Sequence, residues 1–389
     1  MQKILLFMIV LLMSGCSYSC SEPVTDMKIA SQELVIIDQK QTKEVESREI
    51  AECYRDIYEK AVQENTLGSL DTWREILVRP GEAGYCAVDE DNQMDMVNAD
   101  RAEQFCVHAE DGQEAEIIIL TVRSNGDFIR YDLSAADGGI TVRRSFLTWN
   151  GITPETVSGE SYQAYEWSYS AKGYLFFEKY YPAGFDGPSG HTAIRIRPLD
   201  QRCRELNRRW ILPIGYSLNN MFLTDWDETD YAELEFYDLY ETMHQMRSRQ
   251  LLSGILSADT IYEIPAEEFE TVYMSYFNID SRTLRQHTIY NDENECYQYI
   301  PRGLYDSAST PYTPYPEVVA YEQNNDIVIL TVDAVWPEKN LERAFSHEVC
   351  IRLLPDGGYQ YISNRVIPSE ENVEFSWYTE RLADQNLKE

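Results

Sequence analysis

The chain reads as an α+β protein, helices packed on antiparallel β-meanders, and three features carry that reading. A helical period occupies 42–65, where Ile50, Cys53, Tyr54, Ile57 and Ala61 recur at three and four while charged residues fill the other faces. Downstream the apolar period falls to two in EIIILTV (116–122), DFIRYDL (127–133), YLFFEKYY (174–181) and HTAIRIRPL (191–199), as half-buried strands require. No strand–helix–strand alternation and no glycine-rich strand-to-helix turn is apparent, so a parallel α/β sheet is not expected.

Each element has a local reason. The first helix stops at 65–68, an Asn-to-Gly stretch. Asn125-Gly126 joins two strands and asks for the positive φ angles of a type I′ turn; Asn150-Gly151, after TVRRSFLTW, is a second such site. A Gly/Pro-rich loop separates the strands at 174–181 and 191–199. Beyond 224, Asp230 caps a helix with Glu233 three residues on, and Leu234, Tyr237, Tyr240 and Met243 follow at helical spacing. A further helix starts at Pro265, whose missing N–H costs nothing there, with Glu267 and Glu268 at the positive end of the dipole. Strands return in EVVAYEQ, DIVILTV (326–332), HEVCIRLL (347–354) and, past Asp356-Gly357-Gly358, YQYISNRVI. EIIILTV and DIVILTV echo one another, as do AECYRDIY at 51 and AEEFETVY at 266, at similar separations. That suggests two related units, with the short alphabet of apolar strands as the rival explanation.

The N-terminus supplies an address. MQKILLFMIVLLMSG holds an unbroken apolar run from Ile4 to Met13, about half of the roughly 20 residues a spanning helix needs, which reads as an export signal. Met-Ser-Gly-Cys then resembles the lipobox of bacterial lipoproteins. The resemblance makes Cys16 the lipid attachment, and two acyl chains would give stable anchoring to the membrane. The organisation that follows is a signal over 1–15, a lipidated polar tether over 16–41, an N-terminal α+β unit over 42–200, a C-terminal α+β unit over 201–382 and a tail over 383–389. The expected location is the cell membrane, facing outside.

Charge narrows the partners. Against 33 Lys+Arg stand 66 Asp+Glu, a net charge of −33, and no basic run is long enough to override that field, so nucleic acid is excluded. An anionic leaflet also repels such a body, which leaves the lipid as the attachment. At 43% hydrophobic residues the chain has enough apolar side chains for a sizeable core.

Candidate chemistry is sparse. His108, His191, His244, His287 and His347 show no metal spacing, and no cofactor is expected. Ser346, His347 and Glu348 are strand neighbours whose side chains alternate between faces, so they form no relay. Ser189 and His191 sit in GFDGPSGH, which reads as a hairpin connection. Glu166 and Glu178 fall on strands, where a glycosidase pair would need a defined separation. In DEDNQMDMVNAD (89–100), Asp89, Asp91 and Asp95 partly match a calcium loop. Gln93 stands at the third ligand, Met94 at the turn glycine and Asp100 at the closing glutamate, so a solvated acidic loop is the better reading. Cys53 and Cys350 read as buried thiols, while Cys86 and Cys106 are a candidate disulfide in an exported chain whose connectivity the sequence leaves open. Among 28 tyrosines, Tyr312 and Tyr315 lie between prolines in STPYTPYPEV: either a partner- or glycan-stacking surface, or a loop with its rings inward.

Longer strings add a resemblance. NNMFLTDWDETDYAELEFYDLYE, IPAEEFETVYMSYFNIDSRTLR, PEVVAYEQNNDIVILTVDAVWPE and AFSHEVCIRLLPDGGYQYISNRVIPSEENVE are similar to uncharacterised lipoproteins of clostridial-type Gram-positive bacteria, catalogued as a domain of unknown function. The resemblance spans roughly 216–382. It implies a surface address and an α+β body and brings no catalytic residues. The function expected is a lipid-anchored, non-catalytic binding or interaction module for an extracellular ligand or protein partner. The alternative is an extracytoplasmic hydrolase acting on glycan or cell-wall material through carboxylates.

Overall fold

Helices α1 (45–52) and α2 (Arg55–Glu64) divide the single helix expected there. The break falls at Tyr54, whose backbone turns to φ −123° and whose buried hydroxyl donates to the Gly126 carbonyl at 3.1 Å. The computed structural model describes residues 45–185, 187, 189–249, 260–302 and 313–380, so Cys16 and Tyr312 lie outside the described residues. Helix α3 (Leu70–Glu82) starts where the Ser69 hydroxyl accepts from the Thr72 N–H.

Next comes a departure from the expected antiparallel order. Strand β1 (Cys86–Asp89), helix α4 (Ala99–Glu110) and strand β2 (Ala115–Val122) form a parallel crossover, with Cys86 opposite Ile119. β1 is four residues long and buried throughout, so it has no alternation to read. From β2 onward the sheet is the expected meander through β3 (Phe128–Ala136), β4 (Gly139–Asn150) and β5 (Thr153–Gln163), giving the order β1-β2-β3-β4-β5.

The turns follow their glycines, though not as expected. At Asn125-Gly126 only Gly126 has positive φ, and its N–H donates to the Arg123 carbonyl, so the loop is an ordinary turn closed by a left-handed glycine. The pair with both φ values positive, as type I′ demands, is Asp137-Gly138 between β3 and β4.

Strands β6 (Glu166–Tyr169), β7 (Tyr174–Glu178) and β8 (His191–Arg195) make a second, antiparallel sheet. Helix α5 (Gln201–Leu206), capped by Asp200, runs into a wider π turn over Asn207–Ile211. After β9 (Trp226–Asp227), helix α6 (Phe236–Ser248) begins at a Glu235 cap rather than at Asp230, whose carboxylate accepts instead from the Ala232 N–H. Strand β10 (Tyr262–Pro265) leads into α7 (Ala266–Met274), which starts one residue after Pro265. Helix α8 (Ser281–His287) and strands β11 (Tyr290–Asn291) and β12 (Cys296–Tyr299) follow, with β10, β12 and β11 forming a small sheet. The last sheet is β13 (Tyr315–Asn324), β14 (Ile327–Val335), β15 (Ser346–Leu353) and β16 (Tyr359–Ile367), with β9 on the far edge.

The architecture is therefore α+β. EIIILTV and DIVILTV are each the second strand of a five-stranded sheet, antiparallel to the third; their edge neighbours differ, β1 being parallel and β13 antiparallel.

One face of the N-terminal sheet buries Tyr131, Leu133 and Val142 against α4 and against Leu175 and Phe177 of the second sheet. Its other face packs Leu120, Phe128 and Leu147 under Ile50 of α1, Tyr54 at the break before α2 and Ile76 of α3. An aromatic core with Trp210, Tyr240, Tyr273 and Tyr361 fills the C-terminal half. Tyr174, Phe176 and Val335, with Tyr315 against them, form a small cluster between the halves.

A polar cleft on the N-terminal sheet

Helices α1 to α3 cover only part of their face of the N-terminal sheet. Beyond them β3 resumes alternation, with Asp132 and Ser134 half-exposed between buried Leu133 and Ala135. The uncovered part is the floor of a cleft of about 730 Å³. Strand register aligns two rows across it: Ile118, Asp132, Arg143, Ser161, and beside it Glu116, Ser134, Thr141, Gln163. Glu46 of α1, the turn at Ala83, Gly84 and Tyr85, and Arg101 of α4 form the walls. The Arg101 guanidinium is held by the Gly84 carbonyl.

Arg130 lines the inner end, its side chain 1% exposed. Nη2 donates to Glu46 Oε2 at 2.7 Å and to Asp132 Oδ1 at 2.8 Å. Burial opposes the charge, yet the two carboxylates hold the guanidinium above the ordinary arginine range. Nε and Nη1 are buried and have no hydrogen-bond partner. Arg143, half-buried on the floor, bonds to no described residue. Arg130 was not among the residues singled out from sequence. The available signal was that Arg130, Asp132, Ser134, Thr141 and Arg143 fall on one face of neighbouring strands.

The residues singled out from sequence lie elsewhere. Tyr315 does not display its ring: it packs against the cluster between the halves, and its hydroxyl takes a 3.3 Å bond from Asn92. Exposed rings include Tyr165 and Tyr180, 5.3 Å apart, Phe185, stacked on Tyr181, and Tyr321. Cys86 and Cys106 are both buried free thiols in the structure, and Cys86 donates to the Asn98 carbonyl at 3.3 Å. Of the pair read as buried thiols, Cys350 is half-buried and Cys53 is exposed, because Cys53 falls at the break between α1 and α2.

The 89–95 stretch is not a solvated loop. Asp89, 2% exposed, accepts from the N–H groups of Gln93 and Met94, and Asp95 accepts from Leu199, Gln201 and Arg204. Those carboxylates are spent on protein donors. Among the described residues no three His, Cys, Asp or Glu side chains converge as metal ligands.

Ser346 bonds Asp333 while His347 turns to the other face, between Tyr216 and Asn364, as strand alternation required. The Ser189 hydroxyl accepts from the His191 backbone N–H, not from its ring. Glu166 and Glu178 sit opposite each other on adjacent strands, side by side, with His191 next in the row and 3.8 Å from Glu178. Such neighbours do not face one another across a substrate.

Fold and cleft together define an α+β protein with a charged, hydroxyl-lined concavity on one sheet and no described helix long and apolar enough to cross a membrane. The chain belongs to the family of unknown function DUF6070, which it matches over residues 40–381. No curated protein and no solved structure matches it.

Proposed function

We propose that the protein is a lipid-anchored, outward-facing binding module and that the cleft on the N-terminal sheet is its ligand site. The address rests on the apolar run that ends in Met-Ser-Gly-Cys at Cys16. The site rests on one observation: a buried guanidinium, Arg130, which lines the inner end of the cleft, keeps two nitrogens, Nε and Nη1, uncommitted. Glu46 and Asp132 both bond that guanidinium, which makes them charge partners of an arginine rather than a pair standing across a bond to be cleaved. That arrangement favours binding over carboxylate hydrolysis.

Two measurements test the reading. Labelled palmitate fed to expressing cells is incorporated by the wild type and lost in Cys16→Ala; no label, or undiminished label in the variant, removes the anchor. For the site, purified protein incubated with culture fluid and desalted retains a small molecule visible by native mass spectrometry, and Ser134→Trp, which fills the cleft, loses it. No retained molecule, or equal retention by the variant, removes the cleft as ligand site.

A further inference from the structure

The cleft's donors and acceptors specify more than an empty space. We propose that it takes a carboxylate-bearing, hydroxyl-rich small molecule of the sugar-acid class, its carboxylate against Arg143 and Arg130 and its hydroxyls on Ser134, Thr141 and Ser161. This deepens the reading of the cleft as ligand site and rests on it.

The cation comes first. Arg143 occupies the middle of a row, between Asp132 on one strand and Ser161 on the next, and bonds to no described residue. Arg130, buried and bonded to Glu46, adds two nitrogens, Nε and Nη1, without partners. Buried polar groups are nearly always satisfied, by protein, water or a bound group, and guanidinium N–H groups match carboxylate oxygens in geometry and charge.

Charge selects among anions. Among the described residues the cleft carries Arg101, Arg130 and Arg143 against Glu46, Glu116 and Asp132, a local balance of zero in a chain whose net charge is −33. One negative charge is accommodated there. A dianionic phosphate ester sets twice the charge beside the same three carboxylates, and like charges so placed repel.

Hydroxyls fill out the class. Ser134 and Thr141 are cross-strand partners, and Ser161 lies on the next strand in the adjacent row, so three hydroxyls lie on one patch of floor. Thr141 donates to Gln163 at 2.9 Å, which leaves its lone pairs to accept. Tyr85 and Ile118 offer the apolar surface on which a ring face rests. A volume of about 730 Å³ suits a molecule of one or two sugar rings.

Isothermal titration of the full-length protein in detergent with D-glucuronate, D-glucose and inorganic phosphate tests this, repeated with Arg143→Gln. Saturable glucuronate binding is expected, with glucose and phosphate each about tenfold weaker or worse, as loss of a charge-assisted bond predicts. Arg143→Gln should lose about tenfold for glucuronate and keep the wild-type melting temperature, since Arg143 bonds to no described residue. Glucose binding as tightly as glucuronate, phosphate binding more tightly, an undiminished variant, or no binding of any of the three would each overturn the sugar-acid assignment. The cleft itself is judged separately, by whether Ser134→Trp loses the molecule retained from culture fluid.

Discussion

Arg195 reaches across the junction of the two halves to Glu317: Nη1 lies 2.6 Å from Oε2, and the side chains are 5% and 6% exposed. Tyr174 bonds the other carboxylate oxygen at 2.8 Å, and Asn92 accepts from the Arg195 backbone N–H. Removing one member strands a buried charge, which costs roughly 3–5 kcal/mol. Glu317→Ala should lower the stability measured by urea unfolding by about that much. The double replacement Arg195→Met with Glu317→Leu should recover most of the loss, because a buried pair can be exchanged for apolar groups at little cost. A neutral single variant would show that the halves do not depend on this contact.

His347 gives the fold an acid-side weakness. Its Nδ1 faces Asn364 Oδ1 at 2.7 Å, and Asn364 spends its amide donor on the Thr224 carbonyl, so Nδ1 carries the proton and Nε2 accepts from Tyr216 at 2.9 Å. Burial brings its pKa down from 6.5 to about 4, with the Asn364 bond pulling the other way. Between those two pH values the unfolded chain takes up a proton that the folded one refuses, so stability falls as pH drops through the window and levels off below it. The loss is about 3 kcal/mol in total. His347→Gln should flatten the decline of the urea midpoint between pH 6.5 and 4 by that amount. An unchanged slope in the variant would refute the assignment.

EIIILTV, DFIRYDL, DIVILTV and HEVCIRLL became β2, β3, β14 and β15: burial alternates along 131–135, 327–332 and 346–351, where the two faces differ, while 119–122 and 128–131 are buried on both faces and were recognisable by their length and apolar, β-branched composition. β1 was not, since it is four residues long and burial on both faces erases the period, and with it went the parallel crossover through α4. The acidic stretch at 89–100 misled for a related reason. Its carboxylates read as solvated, yet α5 brings Arg204 to Asp95, a contact that depends on chain more than a hundred residues away. The cleft was half legible. Its polar face could be seen in the alternation of β3 and β4, whereas its boundary is set by where α1 to α3 stop covering the sheet.

Thiol reactivity should divide by burial. Cys53 is exposed, Cys296 and Cys350 half-buried, and Cys86, Cys106 and Cys203 buried. Burial pushes the Cys86 and Cys203 thiols up to about 11 and Cys106 higher still, so none supplies appreciable thiolate near neutral pH. Among the six described thiols, site-resolved alkylation of native protein without reductant should modify Cys53 first and the three buried ones last, with all six labelled once denatured. If Cys86 and Cys106 stayed unlabelled in denaturant, they would be paired in solution and the free-thiol state would be wrong.

Arg130 holds two carboxylates of unequal freedom. Asp132 is 15% exposed and fixed on β3, while Glu46 is 41% exposed on α1 and able to turn into water. Arg130→Met therefore takes the guanidinium from both carboxylates, of which Glu46 can swing out and Asp132 stays in place. The expected cost, about 2–3 kcal/mol, lies at or below the low end for a fully buried pair. Arg130→Lys should recover only part of it, because an ammonium is a compact point charge and does not reproduce the planar guanidinium that bonds both partners through one nitrogen. The comparison that decides is Glu46→Gln, which should cost well under the Arg130→Met loss if Asp132 is the main partner. Equal losses for the two variants would mean that α1 is pinned to the sheet chiefly by this ion pair, and that the covered part of the face depends on it.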